Sequence, residues 1–387
     1  MTAALLLILA LALNLVSAGY VGFSAWRFAR FRRLRPETTG PRPPATILKP
    51  LYGLEAGLYD NLRSFCDQDY PAYQVVFGLR SESDAAAELV RRLMAELPDR
   101  DLALVIDGHV AGRNLKASNL HNMMRAVKHD LLIVSDSDMR VGRDYLAGIV
   151  APFRDPDVGA VTCLYRGTPA GGLASTLGAM FINEWFLPSV LVALTFEQLR
   201  YCFGATMAVR RRLLDEIGGF GALAAYLADD HMLGKLVAAH GYKVHLSPYV
   251  VENIVSEPDL KGLFRHELRW ARTVRTVRPA GYALSFVMYA VPMSILAAVV
   301  NEMTVGWHWV AAASLLVGIL PRIFLHYRVR SAYYPASRAR PWLVPVRDLL
   351  CFVVWATSFV GRAVRWRDQD MLVKPDGLLA PEKARNT

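Results

Sequence analysis

The chain has 387 residues, 53% of them hydrophobic, and a formal net charge of +10. That length allows one or two domains with ample residues to bury a core. Cys66, Cys163, Cys202 and Cys351 are far apart and form no C-x-x-C pair, which argues against a zinc site or a disulfide framework and fits a reducing compartment.

Residues 3–25 are almost uninterrupted apolar sequence, long enough to span a bilayer. A cleaved signal peptide is disfavoured, because no charged n-region precedes the run and the run exceeds a typical h-region. Arg27, Arg30, Arg32, Arg33 and Arg35 follow, so this side is expected to be cytoplasmic and the amino terminus outside. A transmembrane helix over 1–26 and a basic, proline-rich linker over 27–44 are expected.

From Ala45 the pattern alternates. Residues 46–48, 74–79 and 102–106 read as strands, and 58–66, 85–97 and 117–128 as helices. This repetition implies a mostly parallel sheet covered on both faces. Glu82 and Asp84 follow the second strand; capping of the next helix is the competing role for at least one of them. Gly108, Gly112, Arg113, Lys116 and Asn119 lie in DGHVAGRNLKASN beside a helix start, a favourable place for a phosphate.

The apolar run 131–134 reads as a buried strand that ends in Asp136-Ser137-Asp138. Two hard anionic donors at a strand end suit Mg2+ or Mn2+, which keep waters and take substrate phosphates as further ligands. The competing reading is a solvated turn.

Residues 173–199 are apolar, with Glu184, Pro188 and Glu197 set into them, and read as core helix or as a stretch in the membrane interface. A full span is disfavoured, because Glu184 and Pro188 fall near its middle. Met180, Phe181, Trp185 and Phe186 make this stretch the expected bridge between bilayer and site. Asp229 and Asp230 then open a helix that stops at Gly241. Asp229 is expected to cap it, which leaves Asp230 as the better catalytic carboxylate. His266, Arg269 and Trp270 share one helical face; a surface amphipathic helix is the competing reading. Residues 281–300 and 305–325 read as two spans. The run 342–361 contains Pro345, Arg347 and Asp348 and is expected to be re-entrant or interfacial, keeping a 362–387 tail with Arg362, Arg365 and Arg367 cytoplasmic.

The ordered set LKPLYG, S-E-S-D, G-R-N-x-K-x-x-N, D-S-D, A-D-D and H-x-x-R-W resembles the ceramide glucosyltransferase family of membrane-bound inverting glycosyltransferases, and most of all its bacterial hopanoid-biosynthesis-associated members. The resemblance implies an α/β GT-A fold with a cytoplasmic catalytic domain over 45–278 and membrane segments over 279–361. It implies a UDP-sugar donor, with Glu82 or Asp84 near the uridine and Lys116 and Asn119 near the nucleotide. Asp136 and Asp138 would hold the metal and diphosphate, Asp230 would be the base, and Arg269 and Trp270 would line the diphosphate and acceptor end. Two departures matter: Glu82 and Asp84 both satisfy the first carboxylate motif, and His266 stands where the family usually has Gln or Arg. The implied acceptor is a lipid, a hopanoid polyol taking N-acetylglucosamine or ceramide taking glucose, at a bacterial inner membrane. No nucleic-acid partner is expected. A processive polysaccharide synthase is expected to carry more spans, and a transporter more polar groups inside them.

Overall fold

The computed structural model describes residues 2–334, 339–361, 363–366, 369–373 and 377–381. Arg362 and Arg367, and much of the expected tail, lie outside these, as does the side chain of Arg365. The chain forms two compact units, one of Met1–Arg33, Gly172–Glu197 and Glu257–Asp370, the other of Leu34–Gly171, Gln198–Ser256 and Met371–Thr387. Segments 172–197 and 257–278, expected in the catalytic domain, thus belong to the unit of long apolar helices.

The second unit is built on an eight-stranded sheet. Its strands are β1 (Ala45–Pro50), β2 (Tyr73–Leu79), β3 (Leu102–Ile106), β4 (Leu131–Val134), β5 (Met139–Arg140), β6 (Val158–Pro169), β7 (Met207–Arg210) and β8 (Lys243–Val255). They lie in the order β3-β2-β1-β4-β7-β6-β8-β5. The pairs β1–β2, β1–β4, β2–β3 and β6–β8 are parallel, while β7 runs antiparallel between β4 and β6. Alternation within each strand explains the two covered faces. Ile47, Phe77 and Ile133 pack on one face with Phe65 and Tyr145; Leu48, Val76 and Leu132 pack on the other with Leu120, Phe220 and Leu233. Strands β1 and β4 are buried on both sides; β4 reads as a continuous apolar run, while β1 carries the buried Thr46 and Lys49. The helix expected over 117–128 is Leu115–Met123, tightening into a 3₁₀ turn at Met124–Ala126. Asn114 sets its start, its side chain accepting from the Ala117 amide at 2.9 Å.

In the first unit, Thr2–Phe31, Gly172–Phe196 and His308–Tyr333 are each long and apolar enough to cross a membrane. The middle helix is continuous through Glu184 and Pro188. A π turn at Ile182–Phe186 absorbs the proline that follows. Glu184 turns inward and meets His326 at 2.7 Å. Trp185 is also interior: it is 1% exposed and donates to Asp348 at 2.6 Å. Trp185 is therefore core, and the bridging role expected of it is overturned.

The straight span expected over 281–300 is broken. Pro279–Met288 and Ala290–Thr304 meet at a 66° bend. Asp348 accepts from the Val291 amide at 2.8 Å on one side of the bend. On the other, Arg322 donates to the Met288 carbonyl. Backbone groups freed by a break in apolar surroundings require such partners. Helix Leu343–Ser358 supplies Asp348 and also Arg347, which pairs with Glu267 at 2.5 Å. At 16 residues it falls short of the roughly 20 that a full crossing needs.

Candidate active site

In the sheet-bearing unit, the carboxyl ends of β1 and β4 lie side by side. Lys49, near the end of β1, is fully buried, 3.7 Å above the Phe65 ring, and donates to the Asp136 carbonyl. Burial pulls its ammonium down to about 7, opposed by the charges of Asp136, Asp138 and Glu55. The lysine fixes the backbone where the strand turns into the two aspartates.

Lys116 reaches the same place from its helix. Its Nζ lies 2.6 Å from Asp136 Oδ1 and 3.4 Å from Asp229 Oδ2. Burial opposes its charge, but Asp136, Asp229 and Asp230 together hold it above the usual lysine range. Asp138 is tied to β8, its Oδ2 accepting from Asn253 at 2.7 Å and its carbonyl from the Ile254 amide at 2.8 Å. Its Oδ1 is buried without a hydrogen-bond partner. Burial, then Asp136 and Glu55, push this carboxyl up to about 7.

Asp230 stands at the start of helix Asp229–Ala239. Its Oδ2 accepts from the Gly204 amide at 2.9 Å and its Oδ1 from the His231 amide at 2.7 Å. Burial, then Asp229, raise its carboxyl to about 6 against the pull of Lys116. Asp229 does not cap this helix. Ala228 occupies the cap position with no side-chain bond, and Asp229 is buried, accepting from Asn114 at 3.1 Å.

Gly204 joins these groups. A Cβ there would stand 2.8 Å from Asp136 Oδ2, 3.4 Å from Lys116 Nζ and 3.5 Å from Asp230 Oδ2. Two carboxylates and one ammonium thus crowd against the Gly204 backbone, an approach that even a methyl group would obstruct.

The remaining expected residues are placed differently. Glu82 is exposed and pairs with Arg91. Asp84 accepts from the Ala86 amide at 2.9 Å and from the Gly53 amide at 3.0 Å, tying the LKPLYG loop down at a glycine with φ +67°. Asn119 is buried and donates to the Gly78 carbonyl at 2.8 Å.

His266, Arg269 and Trp270 lie on helix Leu260–Val277 of the other unit, capped by Asp259. His266 Nδ1 lies 2.7 Å from Glu257 Oε1, and its ring centroid is 4.3 Å from that of Trp270. Trp270 stacks in turn on Phe181 at 6.2 Å.

A divalent cation fits Asp136 and Asp138. The orphaned, buried Oδ1 of Asp138 and the repulsion between the two carboxylates call for a cation. Among the described residues no group of three His, Cys, Asp or Glu forms a complete ligand set. A two-carboxylate site that leaves positions to water and substrate phosphates suits Mg2+ or Mn2+. Lys49, Asn114, Gly204, Asn253 and Glu257 escaped the sequence reading. Lys49 and Asn114 lie inside motifs that were noticed, and the other three become visible only through the fold.

A family model described as Glycosyl transferase family 21 matches residues 9–379. Ceramide glucosyltransferase 3 of Caenorhabditis elegans is 23% identical over 359 residues, covering 88% of this chain and 75% of that protein. Ceramide glucosyltransferase 1 of the same organism is 24% identical, covering 62% and 51%. An N-acetylglucosaminyltransferase of Rhizobium meliloti (strain 1021) is 25% identical, covering 62% and 57%. The match thus spans about half the length of the latter two. Among solved structures, a mannosyltransferase from Pyrobaculum calidifontis in complex with GDP-Man and Mn2+ superposes with a TM-score of 0.52 at 20% identity, covering 92% of this chain and 99% of that one. The shared fold is GT-A.

Proposed function

The chain belongs to glycosyl transferase family 21, and from that premise we propose that it moves N-acetylglucosamine, with inversion, from UDP-GlcNAc to a hydroxyl of a membrane hopanoid polyol. The observation that carries this reading is the convergence of Asp136, Lys116 and Asp230 around Gly204. Departure of the diphosphate builds negative charge, and transfer to an alcohol needs a base; that arrangement supplies a cation and a carboxylate side by side.

Asp230 takes the proton of the attacking hydroxyl. Two backbone amides hold its carboxylate in place, and a carboxyl raised to about 6 is ionised at neutral pH yet closer to the working pH than an ordinary aspartate. Attack opposite the leaving group inverts the anomeric carbon and needs only this one base. Lys116 neutralises the surrounding carboxylates and faces the diphosphate. Asp136 and Asp138 would hold Mg2+ or Mn2+, which when bound stabilises charge on the leaving diphosphate. Glu82 or Asp84 and Asn119 are assigned to the nucleotide by motif, and His266, Arg269 and Trp270 to the diphosphate and acceptor end.

A lipid acceptor is supported by the three helices of membrane-spanning length, for which a soluble acceptor gives no reason. The setting we infer is a bacterial inner membrane, with the sheet-bearing unit in the cytoplasm. The N-acetylglucosaminyltransferase relative supports the donor. The ceramide glucosyltransferase relatives favour a second reading, glucose from UDP-glucose to ceramide. The test is to incubate the detergent-purified protein with each UDP-sugar and each lipid and to weigh the products by mass. The leading reading expects an N-acetylhexosamine mass added to the hopanoid; a hexose added to ceramide alone supports the second reading, and sugar added to neither lipid overturns both.

A further inference from the structure

Helices Thr2–Phe31 and His308–Tyr333 pack together within the helical unit. Where their arginine-bearing ends meet there is a cavity of about 250 Å3, lined by Phe28, Ala29, Arg32, Arg33, Arg328 and Ser331. Phe28 and Ala29 are its apolar part, with Phe28 buried and edge-on to Tyr333 at 5.6 Å. Its rim is cationic. Arg32 lies 5.9 Å over the Tyr333 ring, and all three arginines are exposed. Other arginines of this unit have partners close by: Arg278 pairs with Glu197, Arg322 with Asp348 and Arg347 with Glu267. Among the described residues no carboxylate pairs with Arg32, Arg33 or Arg328.

Placement of arginines at the ends of spanning helices follows from membrane topology alone. That tendency requires neither a cavity between two helices nor three arginines among its lining residues. Like charges so placed repel, and a shared anion removes the repulsion. Guanidinium forks match the paired oxygens of a phosphate. Both helices are long and apolar enough to cross a bilayer, so their arginine ends fall at headgroup depth, where basic pockets between spans meet anionic lipids. Phe28 and Ala29 beside the arginines offer contact to the glycerol and first methylenes of a lipid, which a hydrated ion would not use.

We propose that this cavity binds the phosphodiester of an anionic membrane phospholipid, as a site separate from the sugar-transfer chemistry. The experiment uses the full chain, extracted in a neutral detergent and stripped of lipid. Its thermal midpoint is followed while phosphatidylglycerol, phosphatidylcholine or inorganic phosphate is titrated in. Phosphatidylglycerol should raise the midpoint of the wild type, and the other two should not. In the Arg32→Gln/Arg33→Gln/Arg328→Gln variant the affinity for phosphatidylglycerol should fall at least tenfold. An Arg30→Gln/Arg35→Gln variant, with its changes outside the cavity, should respond like the wild type. All five side chains are exposed, so both variants should fold. The site is overturned if the triple variant keeps its response or if the double variant loses as much. An equal rise with inorganic phosphate would overturn the lipid assignment.

Discussion

Arg322 and Asp348 face each other at 3.1 Å, and each also serves one side of the same helix break. Asp348 completes the start of the second arm at Val291, and Arg322 completes the end of the first at Met288. The two side chains are 3% and 0% exposed, so neither charge has water to fall back on. The pair and the bend therefore depend on each other.

Removing one partner strands the other. Arg322→Met should destabilise the protein by roughly 3 kcal/mol, the low end for breaking a buried pair. Arg322→Met/Asp348→Asn should recover part of that loss, because the remaining amide is neutral and can still accept from Val291. Thermal unfolding in detergent, compared across both variants and Asp348→Asn, gives the coupling. Additive losses would show that the bend is held by packing instead.

A second prediction concerns the metal. EDTA should abolish transfer, and Mg2+ or Mn2+ should restore it. Asp138→Asn should be inactive and lose any thermal stabilisation by Mn2+. Without metal it should be at least as stable as the wild type at pH 8. The sign follows from the carboxyl, raised from 3.8 to about 7: the folded state holds the proton more tightly than the unfolded chain, so ionisation works against folding as pH rises through that window. Full activity in metal-free buffer would remove Asp136 and Asp138 from the metal-binding role.

The neighbouring carboxylates at 229 and 230 should separate kinetically. Asp230→Asn should lower kcat about 100-fold or more, as loss of a general base does, with donor binding nearly unchanged. In the wild type, kcat/KM should fall as pH drops below about 6, where Asp230 takes up a proton. Asp229→Asn keeps an acceptor for Asn114 but removes one of the charges facing Lys116. Its effect should appear in KM for the donor and in the thermal midpoint, with the acid limb retained. If the acid limb survives in Asp230→Asn and vanishes in Asp229→Asn, the base is Asp229.

How far the sequence carried can be read from particular residues. The strands were visible because β1, β2 and β4 are short apolar runs with helices of 3.6 period between them. The spacing of Asp136 and Asp138 at a strand end pointed to the candidate site, where the fold sets Lys49 and Lys116 against Asp136. Asp229 was misread because an aspartate ahead of a helix looks like a cap; only the fold brings Asn114 and Lys116 against it. The break at Tyr289 was hidden for a similar reason. Its backbone partners lie 34 residues away at Arg322 and 57 away at Asp348, and an apolar run shows neither. Trp185 looked interfacial by composition, whereas a buried carboxylate that binds its indole makes it core.

The last prediction concerns the histidine that replaces the usual residue of H-x-x-R-W. Glu257 Oε1 lies 2.7 Å from His266 Nδ1, and the glutamate side chain is 10% exposed while the histidine is 37% exposed. A carboxylate can only accept, so Nδ1 carries the hydrogen and Nε2 is the ring's free position. Trp270, 4.3 Å away between centroids, limits how far the ring can swing. Glu257 is thus a positioning residue that fixes which nitrogen His266 presents. Glu257→Ala should free the ring and lower kcat/KM by about 10-fold, the scale of losing a partner that orients a functional imidazole. Glu257→Gln can still accept from Nδ1 through its carbonyl oxygen and should recover most of the activity. His266→Gln restores the residue more usual in the family, and in that background Glu257→Ala should have little further effect, because there is no tautomer left to fix. Measuring kcat and KM for donor and acceptor in all four variants decides the matter. Equal losses on Glu257→Ala with and without His266 would show that Glu257 acts through the fold of its loop, where Ser175 also holds its backbone, and not through the histidine.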